Sequence, residues 1–505
     1  MIFAWLIFLI YVSVTLGLAW KGHQKTDSFR SYAIGMGDMK PWVVAFALAA
    51  SMTSTATFVI NPGIVYAYGL SAVLGYGVAA GTGLMLGIVI LSKGFRRYGI
   101  KEAGLTVPDW IGRRFGSRKM AAFYAVVNLL LIAMVVLICY AMAGLLVATL
   151  QLPAVFPNSS FEVALAIIVV FVFAYTYIGG TYAHAYTNMV QGLVMLVVAV
   201  LLVGSGIPLL QDNLLEKLAA IDPLLAQPIH PGSLLFRNVF EVFVANFVVG
   251  FALAAQPHFV IKSLYVRSER DVNRYLALAI LIGVVFTSVL LCGLYARVAR
   301  GPFVEQFIQQ NQMGIDGVMP AYIVSTFPPL VALFISIAIL AAGMSTLDGI
   351  VVALSAILAN DLFLPWYRRR KPDPRRELQM TFRVGRIAVL ALGGVAFGLS
   401  LYQHYHKEFS IAIFAQEGVY ALFAATFIPL MAGMFFRNVS RHLVWGTSLV
   451  ALGIHFGFRY GKWTLLTPAD YTNPGLTATY GLLVSLGIVA YYVVGKRLFS
   501  RSPSS

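Results

Sequence analysis

Ala341-Ala342-Gly343-Met344-Ser345-Thr346-Leu347-Asp348-Gly349 lies in the middle of an apolar segment that runs from about 320 to 360. Two adjacent hydroxyls and a carboxylate stand where a hydrocarbon layer should be. Polar groups inside a membrane span are costly, so they point to function more strongly than they would in water. Ala342, Ser345 and Asp348 are spaced i, i+3 and i+6, along one stripe of a helix. Close helix packing accounts for the alanines and glycines of the stretch, but not for the aspartate.

The surrounding chain supports the membrane reading. Of 505 residues, 59% are hydrophobic and 11% charged, against about 25% charged in soluble domains. A soluble enzyme, a disordered chain, a collagen and a disulfide scaffold are all excluded, and Cys139 and Cys292 lie in apolar runs. Thirteen apolar segments are expected, at about 2–20, 41–66, 70–92, 120–150, 161–182, 184–210, 236–260, 272–299, 320–360, 383–403, 409–436, 441–458 and 476–495. The first reads as a retained span, with no basic residue before it and no small-residue cleavage site before Lys21. The ninth is too long for one upright helix and is expected to carry an interfacial extension.

With the N-terminus outside, the loops assigned to the inside hold 29 of the 36 Lys and Arg, and those outside hold 7. That separation fits the positive-inside rule for an N-out, C-in chain of the inner or plasma membrane. It explains the net charge of +16 without nucleic acid and leaves membrane lipids as the contact of the basic loops. No P-loop, HExxH motif or Ser/His/Asp constellation appears, so neither an ATP-driven pump nor an enzyme is expected, and no obligate protein partner is evident.

Other spans carry polar clusters too. The second reads Ala49-Ala50-Ser51-Met52-Thr53-Ser54-Thr55-Ala56-Thr57 and then Asn61-Pro62-Gly63. Pro62 removes a backbone donor and Gly63 weakens the helix, so a break is expected there, presenting carbonyl oxygens to a cavity. The alternative is a kinked helix whose hydroxyls bond back to its own carbonyls. The sixth span carries His184, read as interfacial, with Asn188 and Gln191 on one face. The seventh carries Glu241, Asn246 and Gln256-Pro257-His258, a second candidate break, and the eleventh carries Gln416-Glu417. Glu417 has no basic neighbour in sequence, so a cavity-facing or protonated carboxyl is expected.

The chain resembles the sodium:solute symporter family along nearly its whole length, and its local strings are most similar to those of sodium/pantothenate symporters. The strings are Thr57-Phe58 through Asn61-Pro62-Gly63, Tyr68-Gly69, Tyr177-Ile178-Gly179-Gly180, Gln191-Gly192-Leu193-Val194-Met195, Gln256-Pro257-His258 and Ala341 to Thr346. The resemblance implies an all-α LeuT-like core of two inverted five-helix repeats, at 41–210 and 236–436, in a single transporter domain. One extra helix precedes it at 2–20, and two follow within 441–495. It implies symport of Na⁺ with a small organic solute: a monocarboxylate such as pantothenate, or alternatively proline, acetate or another small solute, with H⁺ as an alternative coupling ion. A transporter-like sensor without net flux is a further alternative.

The resemblance also implies a Na⁺ site formed by carbonyls of Ala50, Thr53 and Ala342 with the hydroxyls of Ser345 and Thr346. Substrate contacts are expected at Ser51, Met52, Ser54, Thr57, Asn246, Gln256 and Gln416. Where family members have a second Na⁺ site, an aspartate stands at the position of Asn188 and small hydroxyl residues at those of Asp348 and Gly349. Here the carboxylate has moved between helices. Asn188, Ser345 and Asp348 are therefore the expected second cation site, for Na⁺ or a proton. The other reading is that this second site is lost and Asp348 only contacts a neighbouring span.

Overall fold

The computed structural model describes residues 2–24, 37–102, 105–311, 313–370, 373–406, 411–436, 439–462 and 473–499. Lys25, Arg30, Lys371, Lys407, Arg437 and Arg501 of the basic-residue count lie outside them. Every regular element among the described residues is helical. With no water to bond free N–H and C=O groups, a lipid-embedded chain closes its backbone hydrogen bonds within helices. Nine of these are long and apolar enough to cross a membrane, or eleven if each of two sharply bent helix pairs is one span. Two further helices, Ile2–His23 and Arg441–Gly461, run 22 and 21 residues. Leu281, Ile387 and Val170 point outward from the bundle, as lipid-facing positions do.

Each bent pair is followed by four spans. Pro41–Met52 and Ala56–Tyr68, bent by 53°, precede Leu70–Arg97, Arg118–Thr149, Ser160–Ile178 and His184–Gln211. Phe240–Leu253 and Pro257–Leu264, bent by 60°, precede Glu269–Gln310, Pro329–Arg368, Pro374–Tyr405 and Ile411–Phe435. The helix Pro41–Met52 packs against Ser160–Gly204 and Glu269–Thr287, and Pro329–Ile357 lies across the same Ser160–Gly204 stretch.

The second bend falls where the sequence places it. Gln256 is extended (φ −58°, ψ 133°) because Pro257 crowds a helical residue before it. The first does not. The chain leaves the helix at Thr53 (φ −117°, ψ 95°), and the Ser54 hydroxyl accepts the Ala56 N–H at 3.1 Å, starting the next arm. Pro62 breaks nothing. A π-helical turn, Ala56–Ile60, precedes it, and Pro62 occupies the first turn of Asn61–Tyr68, where a missing N–H costs little. The ninth segment is divided in two, as its length implies. Its extension comes first, as a separate helix Val318–Thr326, and the chain turns at Phe327-Pro328 into the long span.

Three charged side chains correct the sequence reading. Lys262, counted as a loop residue, is fully buried on the second arm of the second bent pair. Arg96 is also buried, and its guanidinium donates to the carbonyls of Ser263 at 2.9 Å and Arg267 at 2.6 Å, and to that of Val266. It closes the far end of the same arm. Glu417 is not solitary, since Arg459, 42 residues later, donates through Nε to its Oε1 at 2.7 Å. Glu241 likewise pairs with Arg237, at 2.6 Å.

Removing one member of a desolvated ion pair strands the other, whereas removing both does not. Glu417→Gln or Arg459→Met alone should each destabilise the purified protein by about 3 kcal/mol. The double variant should cost clearly less than the sum of the two. Additive losses in detergent melting curves would show that the pair contributes no coupling.

Candidate functional site

Two helices break in the middle of the bundle, at Thr53 and at Gln256, and the candidate site lies around these breaks. The long span Pro329–Arg368 reaches the first break because Gly343 has no side chain. A Cβ there would sit 2.2 Å from Thr55 Oγ1 and 2.5 Å from Met142 Sδ. Thr55 in turn donates to the Ile339 carbonyl at 3.3 Å.

Next to that contact, oxygens from both helices converge. Ser345 Oγ lies 2.9 Å from the Ala50 carbonyl and 2.7 Å from that of Ala342. Thr346 Oγ1 lies 3.5 Å from the Ala50 carbonyl and 3.1 Å from that of Ser51. All five residues, Ser51 included, are buried. This donor set is neutral, hard and made wholly of oxygen, which suits an alkali cation and not a soft metal. Ala50, Ala342, Ser345 and Thr346 are thus brought together. Thr53 stands at the break itself, its N–H donating to the Ala50 carbonyl at 3.2 Å.

On the other side of the break a cavity of about 180 Å³ separates the two bent pairs. Met52, Thr53, Thr57 and Asn61 line it from the first, Asn246 and Gly250 from the second, and Tyr76, Thr287, Gln416 and Tyr420 from later spans. Gln416 donates to the Tyr76 hydroxyl at 3.0 Å, and Asn246 to the Glu241 carbonyl at 2.8 Å. No charged side chain is among the lining residues. Of the expected substrate contacts, Met52, Thr57, Asn246 and Gln416 face this cavity, and Ser51, Ser54 and Gln256 do not. Ser54 is spent capping Ala56, and Gln256 is buried at the second bend.

A third group of side chains lies behind Ser51. The Lys262 ammonium donates to Ser51 Oγ at 2.8 Å and the His258 carbonyl at 3.2 Å, and lies 3.1 Å from His184 Nε2. His184 Nδ1 is 2.8 Å from Asp348 Oδ1, and Tyr175 donates to Asp348 Oδ2 at 3.2 Å. Asn188 donates to the Ser345 carbonyl at 2.7 Å and to Ser51 Oγ at 3.2 Å, while its Oδ1 accepts nothing among the described residues. His184 is therefore no interfacial residue; at 4% exposure it sits between two charges. Gly349 leaves the space for its ring, since a Cβ there would come within 2.9 Å of His184 Cε1.

Comparison with known proteins follows the same lines. The profile of the sodium:solute symporter family matches residues 32–442. The chain belongs to this family. It is a multi-pass membrane transporter for a small solute, driven by Na⁺, and not an enzyme. The sodium/pantothenate symporter of Haemophilus influenzae is 27% identical over 363 residues, covering 70% of this chain and 71% of that one. The sodium/pantothenate symporter of Escherichia coli is 26% identical, covering 85% of each. The osmoregulated proline transporter OpuE of Bacillus subtilis is 25% identical, covering 78% of this chain and 76% of that one. The fold is that of a Na⁺-coupled sialic acid symporter solved in a substrate-bound outward-open state, with a TM-score of 0.73 at 18% identity, over 97% of this chain and 98% of that one.

Sequence reasoning missed Asn61, Tyr76, Thr287 and Tyr420 in the cavity and Lys262 behind it. Tyr76, Thr287 and Tyr420 stand outside the polar strings that marked the other spans. Asn61 was read only as part of a break. Lys262 carried a usable signal, since it lies only five residues after Pro257.

The cavity assignment is open to a direct contrast. Loss of one neutral hydrogen bond costs about 1 kcal/mol, roughly fivefold in affinity. Asn246→Ala and Gln416→Ala should each raise the solute concentration for half-maximal uptake by about that factor. Gln256→Ala should lower transport rate or protein yield and leave that concentration unchanged; a selective rise in it would return Gln256 to the substrate site.

Proposed function

We propose that this transporter imports a small organic monocarboxylate of the pantothenate type together with Na⁺, which binds where Ala50, Ala342, Ser345 and Thr346 meet. The carrying observation is the convergence of the Ser345 and Thr346 hydroxyls on the Ala50 carbonyl across a helix break, beside an uncharged polar cavity. Ion binding joins the first bent pair to the span Pro329–Arg368. That contact favours the state open to the outside, and solute then completes closure. The proposed arrangement is thirteen spans, N-terminus out, C-terminus in, with the two sets of five helices inverted relative to each other.

Uncharged donors in the cavity suit a carboxylate met by amide and hydroxyl groups. The resemblance to pantothenate symporters favours that substrate class over proline, whose transporters are nearly as similar. One Na⁺ carried with one monocarboxylate anion moves no net charge, so the membrane potential cancels; a tenfold inward Na⁺ gradient, about 1.4 kcal/mol, then permits about tenfold accumulation of the solute.

Uptake into proteoliposomes should require an inward Na⁺ gradient. In a panel of labelled acids, amino acids and sugars, a monocarboxylate should be taken up best. Uptake that ignores the gradient would end the Na⁺ assignment, and preference for proline would replace the substrate. Ser345→Ala and Thr346→Ala each remove one ion ligand and should raise the half-saturating Na⁺ concentration about tenfold. An unchanged Na⁺ dependence in both would leave the site without support.

A further inference from the structure

Lys262, His184 and Asp348 form an unbroken buried chain that ion coordination at the first site does not use. All three ammonium hydrogens of Lys262 have partners, namely Ser51 Oγ, His184 Nε2 and the His258 carbonyl. Because Nε2 accepts from the ammonium, the His184 proton sits on Nδ1 and points at Asp348, 2.8 Å away. The ring is then neutral, with one positive and one negative charge at its two ends. Tyr175 satisfies the second carboxylate oxygen. An isolated charge in this setting would be far more expensive than the pair. Asp348 has its balancing cation already, and it is part of the chain.

Its location gives that cation a role. Ser51 Oγ receives the Lys262 ammonium and the Asn188 amide, while the Ser51 carbonyl receives Thr346 of the ion cluster. The ammonium is thus one serine away from the oxygens that would hold Na⁺. Around Ser51 and the Ser345 carbonyl, where a second metal cation would need oxygen ligands, the molecule presents N–H groups of Lys262 and Asn188. Asp348, which would supply the negative charge for such an ion, is turned toward His184 and Tyr175. Five elements meet here: both bent pairs and the spans Ser160–Ile178, His184–Gln211 and Pro329–Arg368.

We propose that Lys262 is a tethered cation standing in for a second Na⁺, so that each transport cycle binds a single free Na⁺. The proposal rests on the reading of the Ala50–Ser345 cluster as the Na⁺ site. Lys262 is a positioning residue. It holds the charge balance of Asp348 and the orientation of Ser51 and touches neither solute nor ion.

Binding of ²²Na⁺ to the purified protein, without solute, separates the possibilities. Wild type should bind one Na⁺ per chain with a Hill coefficient near one. Lys262→Met leaves Asp348 unbalanced and should recruit a second Na⁺, with a Hill coefficient approaching two. Lys262→Met combined with Asp348→Asn removes both charges and should return to one ion, with affinity within about threefold of wild type, well under the loss expected for a direct ligand. Two ions bound by wild type, with the Asn188 Oδ1 completing a second site, would overturn the proposal while leaving the first site intact. So would a single variant that keeps one-ion binding. If Lys262→Met does not fold, the double variant decides: one ion at near-wild-type affinity supports the proposal, and loss of binding or a second ion overturns it. No Na⁺ bound by wild type would instead remove the Na⁺ site itself.

Discussion

Everything in the middle of this molecule depends on the contact between the break at Thr53 and the long span beside it. Two helices reach that distance only where one of them has no side chain, and Gly343 supplies the gap. Once they touch, the carbonyl of Ala50, left without a regular helical partner, faces the hydroxyls of Ser345 and Thr346. The contact is made of groups that each satisfy the other only in part.

Charge is distributed by a different rule from polarity. The polar cavity carries amides, hydroxyls and phenols but no charged side chain among its lining residues. Three acidic side chains off the cavity have basic partners within the protein: Glu241 with Arg237, Glu417 with Arg459, and Asp348 with Lys262 through His184. Pairing keeps the desolvation cost of each ion bounded and leaves the local field around the ion cluster set by neutral dipoles.

Periodicity and cost made much of this legible in the sequence. A mid-membrane aspartate beside two hydroxyls can be noticed without any structure, and Gln256-Pro257 announces its bend because the residue before proline is forced out of the helix. Pro62 misled because proline is harmless in the first turn of a helix, and the chain had already turned at Thr53. Glu417 and Lys262 misled for one reason. A charge is judged from its neighbours in sequence, while its partner comes from another helix, 42 residues off for Glu417. Met52 and Thr57 were within reach because they adjoin the first break, and Asn246 and Gln416 because an amide in mid-span stands out. Ser51 and Ser54 share that neighbourhood but point elsewhere, and rotation about a broken helix is not encoded in spacing alone.

Arg96 adds a mechanical consequence. Its guanidinium holds three carbonyls at the end of the arm that carries Lys262, and the bend at Gln256 marks the other end. A short rod with a pivot at one end and a strut at the other cannot swing alone. Any tilt of that arm drags Leu70–Arg97 with it, so the moving part of this machine crosses the boundary between the first and second sets of five helices.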